Sequence, residues 1–357
     1  MQAFPNPEDT LVKSTKISID SQLLAVWIPA LTAAIYPWIL DAFHWSVTPT
    51  VSSNESIRIN SSSTFLAALL LIAAFAVPLI NIMIASRPQL SKPTAQSVRA
   101  RRFALLAVTA PTVYVFFGVL SYMAGSKVPD TWIWTPVWLL FGYLASRSTD
   151  AVISEQPRTS AHLRVAHGIS GSIAALYVVF HIFNHLFGLI SPEAHAAVMD
   201  IGRTVYRAKI IEPILVAVML FQIFSGLRLV WTWSETLADR YRVFQIASGV
   251  FMSVFILGHM NSVFFYARTW LDIPTDWAFA AGLPTGLIHD PWNIRLLPHY
   301  ALGVFFVLAH LISGLRVVML AHGVNSSRAN RFWWAGLSFS VFISAAIMCG
   351  MTGLRLV

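Results

Sequence analysis

Apolar residues in this chain fall into runs of about 20, divided by short polar segments, and not into the narrow stripes of soluble helices. Runs of that length match the hydrocarbon core of a bilayer. They predict nine membrane spans, at 22–43, 64–86, 103–125, 131–146, 163–189, 208–233, 242–268, 296–321 and 332–353. The fourth is short, and its Trp132, Trp134 and Trp138 suit an interfacial anchor, tilted or re-entrant. The polar stretches set the divisions: a tail at 1–21, a four-span region at 22–147, a connector at 148–161, and a five-helix bundle at 162–357. The expected fold class is an all-α polytopic membrane protein.

Composition supports that reading, with 56% hydrophobic and 11% charged residues over 357 positions and a mean hydropathy of +0.65. One cysteine, Cys349, excludes intrachain disulfides, iron–sulfur clusters and cysteine-based zinc sites. The net charge of +8 points to retained loops and not to nucleic acid, because cytoplasmic loops of membrane proteins keep excess Lys and Arg. Arg87, Lys92, Arg99, Arg101 and Arg102 follow span two, Arg147, Arg158 and Arg164 span four, Arg240 and Arg242 span six, and Arg328 and Arg331 span eight. These loops share one side, which places the N-terminus inside a bacterial inner membrane or a mitochondrial membrane. Arg203, Arg207 and Lys209 on the other side are a mild exception. Asn54 and Asn60 head triplets of the glycosylation pattern in an outer loop. No cleavable leader is expected, since the first apolar run starts near Gln22 after a mixed-charge tail.

Histidine changes the picture from architecture to chemistry. The first half holds only His44, so its expected role is structural or partner-docking; the other ten lie in the second half. There the sequence repeats itself. Ser170-Gly171 falls on Ser248-Gly249 and His181 on His259, both 78 positions apart. Gln222-Ile-Phe-Ser-Gly-Leu-Arg228 falls on His310-Leu-Ile-Ser-Gly-Leu-Arg316, 88 positions apart. The pattern predicts a duplicated pair of helices. A histidine inside a membrane helix is costly without a partner, and two facing imidazoles in a bundle commonly hold a haem iron. A lone histidine would more often bond a neighbouring helix, but a repeat-matched pair favours ligation, with His181 and His259 as the metal ligands. His185 is the fallback, ranked lower because its counterpart is Val263. His167 lies 14 residues before His181, about 21 Å along the helix and about 40° around it. Gly171, Gly249, Gly226 and Gly314 would let a ring or another helix come close, while Arg228 and Arg316 either snorkel or pair with a propionate or quinone.

These motifs give the second half, about 160–355, a resemblance to the cytochrome b membrane anchor of succinate:quinone oxidoreductases and fumarate reductases. The resemblance implies an outer haem b between His181 and His259 and an inner site at Gln222 and His310, with Ser170, Gly171 and His167 nearby. It also implies quinone and a soluble redox subunit on the inner face as partners. Gln222 stands where that family has a second inner ligand, and Gly168 where it has an arginine near quinone. The expectation is therefore one haem at most, with a Gln222–His310 hydrogen bond filling the inner position. The alternative is a non-redox protein that keeps the fold for structure, assembly or lipid handling, as a resemblance to fungal mitochondrial outer-membrane proteins of lipid homeostasis implies. Transport ranks last, since the repeat is parallel and no Gly/Pro break interrupts either repeat-opening helix.

Overall fold

The computed structural model describes residues 7–48, 61–87, 93–147, 160–235 and 239–356, with side chains from 23 in the first segment and 63 in the second. The connector at 148–159 and the Asn54 triplet, together with Asn60 of the second, lie outside them. Among the described residues the chain is helical throughout, in thirteen α-helices with short 3₁₀ and π segments. The first half contains α1 (Pro7–Val47), α2 (Ser61–Ala85), α3 (Ala95–Val108), α4 (Ala110–Met123) and α5 (Asp130–Ser146). The second contains α6 (Ala161–Leu186), α7 (Pro192–Tyr206), α8 (Ile211–Trp233), α9 (Arg240–Met260), α10 (Trp277–Ala281), α11 (Gly286–His289), α12 (Leu296–Ala321) and α13 (Ser326–Met351). The stretch read as a polar tail thus enters α1 from Pro7.

Seven helices are long and apolar enough to cross a membrane, or eight if the bent pair α3–α4 counts as one span, in place of the nine expected. The pair bends by 63° at Thr109, where Pro111 opens α4 without an amide to donate to the preceding turn. α5, with 17 residues, falls short of the others. Its indoles also correct the anchor reading: Trp132 is exposed, but Trp134 and Trp138 are buried. Trp134 Nε1 donates to Ala33 O (2.7 Å), so α5 turns its aromatic face onto α1.

α6 shows how a membrane helix inverts the usual amphipathy. Val165, Ile169, Ile173, Leu176, Val179 and Phe183 recur every three to four residues and are all exposed, as a lipid-facing stripe requires. The opposite stripe carries His167, Ser170, Gly171, Ala174, His181 and His185. In the second half, α6 packs on α8, α8 on α9, α9 on α12 and α12 on α13, which reaches back to α6. Extensive packing is confined to these neighbours; the diagonals α6–α9 and α8–α12 have none. The helices therefore surround a centre that side chains fill.

One end of this ring is rich in arginine. Arg102 pairs with Glu235, donates from Nη2 to Trp231 O (2.9 Å) and from Nε to Ser234 Oγ (2.8 Å), satisfying groups left over where α8 ends. The other end is covered by α7, the π segment Asn261–Leu271, α10 and α11. The arginines that broke the charge pattern work there: Arg203 Nη2 donates to Thr275 O (2.9 Å) and Arg207 Nη2 to Thr275 Oγ1 (2.7 Å).

Candidate functional site: two tiers of histidines

Toward the covered end, four elements bring five histidines together. His181 and His185 come from α6, His195 from α7, His259 from α9 and His299 from α12. The rings of His181 and His259 stand 6.0 Å apart, centre to centre, at 65°. They meet across the diagonal where the backbones do not pack. His185 sits edge-on to His181 at 4.7 Å and tilted to His195 at 5.1 Å. Tyr177 stacks on His181 (5.6 Å), and Phe255 lies between His259 (5.9 Å) and His299 (4.7 Å). Two residues past His259, α9 widens into the π segment at Asn261, a local unwinding that recurs at functional sites. An uninterrupted helix to 268 was expected there.

Polar atoms without partners gather around this tier. Asn184 Oδ1, His185 Nδ1, His195 Nδ1, Asn261 Nδ2 and His299 Nδ1 are all buried and unbonded among the described residues. Buried polar groups are nearly always satisfied, so such a concentration marks a place built for something polar. His195, outside the spans, accepts from Asn184 Nδ2 (3.2 Å) at Nε2. Burial, with Arg203 adding to it, pushes its pKa down to about 4 against a partial offset from Asp276. It is neutral at ordinary pH.

The second tier lies three to four turns toward the arginine-rich end. Gln222 Nε2 donates to His167 O (2.9 Å) and to Ser170 Oγ. At the repeat-equivalent place, His310 Nδ1 lies 3.2 Å from Gln245 O and 3.0 Å from Ser248 Oγ. His167 and Gln245, like Ser170 and Ser248, are 78 positions apart, so the two contacts match atom for atom in role. The expected Gln222–His310 hydrogen bond is not formed: each side chain bonds back to its own hairpin partner.

This geometry fixes tautomers. A carbonyl only accepts, so His310 carries its proton on Nδ1 and keeps a lone pair on Nε2. Ser225 Oγ spends its proton on Phe221 O and therefore accepts from His167 Nδ1 at 2.7 Å, which leaves the same lone pair on His167 Nε2. A ligating imidazole needs that arrangement, with the second nitrogen held by an outer hydrogen bond. The glycines make room for these side chains. A Cβ on Gly226 would meet His167 Cε1 at 3.3 Å, one on Gly249 His310 Cε1 at 3.0 Å, and one on Gly171 the Gln222 amide at 3.5 Å; at Gly314 the space is open. The two arginines part ways. Arg228 is exposed, as snorkelling demands, whereas Arg316 is buried with its guanidinium 3.9 Å above the Tyr241 ring.

His195, His299 and Gln245 were not singled out in the sequence. His299 precedes His310 by 11 residues, about three full turns, and so shares its face; that spacing was a legible signal. It was hidden because His299 has no repeat counterpart. His195 lies in a connection, not a span. Among the described residues no group of three or more His, Cys, Asp or Glu side chains is arranged to hold a bare metal ion. Comparison with protein-family models, curated proteins and solved structures finds no match for this chain.

Proposed function

We propose that the second half is a cytochrome b-type electron-transfer bundle, with haem held between His181 and His259. The observation that carries this is the pair of rings 6.0 Å apart, with no hydrogen bond to either among the described residues. Two metal–nitrogen bonds of about 2 Å each, together with the ring radii, space opposed imidazoles by about 6 Å. Haem also answers the want of a bare-ion site, because a porphyrin brings most of its iron's ligands with it, and His181 and His259 would supply the protein's share. Bound haem would supply one-electron chemistry. The chain's part is to present neutral imidazoles, exclude water through the covering helices and offer the unbonded polar atoms of Asn184 and Asn261. On this reading the second half is a duplicated helix pair, α6–α8 and α9–α12. The tier of His167 and His310, each with Nε2 free, would offer a second ligand pair, so that the proposal extends to two haems. Quinone, and a soluble redox subunit at the arginine-rich end, are the exchange partners.

The test is a dithionite-reduced minus oxidised spectrum of the purified protein, with a pyridine haemochrome ratio. A low-spin bis-histidine spectrum and a ratio near two are expected. His181→Ala and His259→Ala should each remove one component and leave the protein membrane-inserted. A haem-free protein after expression with added haem precursor, or unchanged spectra in both variants, overturns the reading.

A further inference from the structure

Beside the arginine-rich end of α9, α12 and α13 lies a cavity of about 220 Å³ that no histidine lines and that touches the second tier only through Gln245. Two guanidinium groups, of Arg242 and Arg316, line it. Arg316 is only 9% exposed. Its Nε donates to Asn330 Oδ1 (2.9 Å) and its plane lies over Tyr241. Its two Nη groups have no hydrogen-bond partner among the described residues. Arg242 is held by Gln245 Oε1 (2.9 Å) and stacks over Trp233 (4.7 Å). Arg242 feels the Asp239 carboxylate first, and then, in the opposite sense, Arg164 of α6 and Arg316. The one acidic group in the lining, Asp239, is already engaged: its Oδ1 accepts from Tyr241 N (2.8 Å) and Arg242 N (3.0 Å) as the cap of α9. Two fixed cations thus share a partly enclosed space with a single carboxylate, Asp239, which caps α9 and offsets only part of their charge, so an entering anion is still favoured.

We infer that this cavity binds a phosphate group, gripped by Arg242 and Arg316. Guanidinium forks match phosphate oxygens in geometry, and stacking on Tyr241 and Trp233 fixes both forks before the ligand arrives. Arg242 is two residues inside the start of α9 and Arg316 five from the end of α12, about 3 and 8 Å along the helices, so both lie close to the ends of their helices. Leu315 and Val318, on the same helix as Arg316, are exposed apolar side chains. The phosphate could come from a lipid headgroup or from a soluble phosphate ester. The inference does not depend on haem.

The test uses the full-length protein. Thermal stability is followed against inorganic phosphate at constant ionic strength in neutral detergent. It is then followed in phosphatidylcholine nanodiscs with and without phosphatidic acid. Wild type should be stabilised, and Arg242→Gln/Arg316→Gln should weaken the apparent affinity at least tenfold. Arg228→Gln, removing an exposed arginine at the same end, should behave as wild type. Stabilisation by phosphate alone assigns the soluble source, and stabilisation only by phosphatidic acid assigns the headgroup. If the double variant does not fold, Arg242→Gln alone is read against Arg228→Gln. Equal responses in those two, or no response of wild type to either probe, overturn the inference.

Discussion

At the scale of single residues, the polar groups of the covered tier are poised against their own burial. His195 is the one outside the spans, and its folded pKa of about 4 lies below the ordinary 6.5. Between those values the unfolded chain binds a proton that the folded chain refuses. The stability contributed by the neutral ring is therefore complete above about pH 6.5 and falls as pH drops toward 4. Its size is on the order of 3 kcal/mol, since each tenfold loss of proton affinity on folding corresponds to about 1.4 kcal/mol. His195→Gln cannot take up that proton. The loss of unfolding midpoint between pH 7 and pH 4.5 should be smaller in the variant than in wild type, measured in the same detergent. Equal losses would place the acid sensitivity elsewhere.

At the scale of elements, the seam between α9 and α12 couples packing to the site. A Cβ on Gly303 would overlap the Phe255 ring, so the ring must move, and it is already in contact with His259 and His299. Gly303→Ala should destabilise the protein by about 1 to 3 kcal/mol, as overpacking does. On the proposed haem reading it should also shift the haem spectrum, whereas Gly314→Ala, with open space around it, should do neither. Paired spectra and thermal midpoints decide this. Apolar length alone announced the long helices, and the inward stripe of α6 followed from spacing. The site was legible where the repeat wrote it twice, at His181, His259, Ser170, Ser248, Gln222 and His310. Pairing across it was not, because hydrogen bonds such as Gln222 to His167 O run within a hairpin, and sequence correspondence shows only which positions are equivalent. The π segment after His259 was invisible, since no proline or glycine marks it, whereas the α3–α4 bend was signalled by Pro111 and passed over because the run around it stays apolar. The inward Trp134 and Trp138 read as an interfacial belt because composition does not say which way an indole faces.

At the scale of the molecule, the first half shares one buried core with the second. Tyr36, Ala107, Trp134, Trp277, Leu297 and Ile347 belong to a single cluster, and α4 packs on α9 and α12. The more deeply buried of the ion pairs across this junction, among the described residues, is Arg295, just ahead of α12, donating to Asp130 Oδ2 at the start of α5 (2.6 Å). The side chains are only 10% and 15% exposed, and the guanidinium lies over Tyr114 (4.4 Å) and Trp292 (4.8 Å). Gly118 gives it room, since a Cβ there would overlap Arg295 Nη1. Removing one partner of such a pair strands a buried charge and typically costs about 3 to 5 kcal/mol, while replacing both with apolar groups costs far less. Asp130→Asn should accordingly lower the midpoint of unfolding sharply, and Asp130→Leu/Arg295→Met should recover much of the loss. Because the pair lies outside both histidine tiers, the folded fraction of every variant should, on the proposed haem reading, bind as much haem as wild type. If the double variant is as unstable as Asp130→Asn, the hydrogen bond itself, and not the stranded charge, holds the halves together.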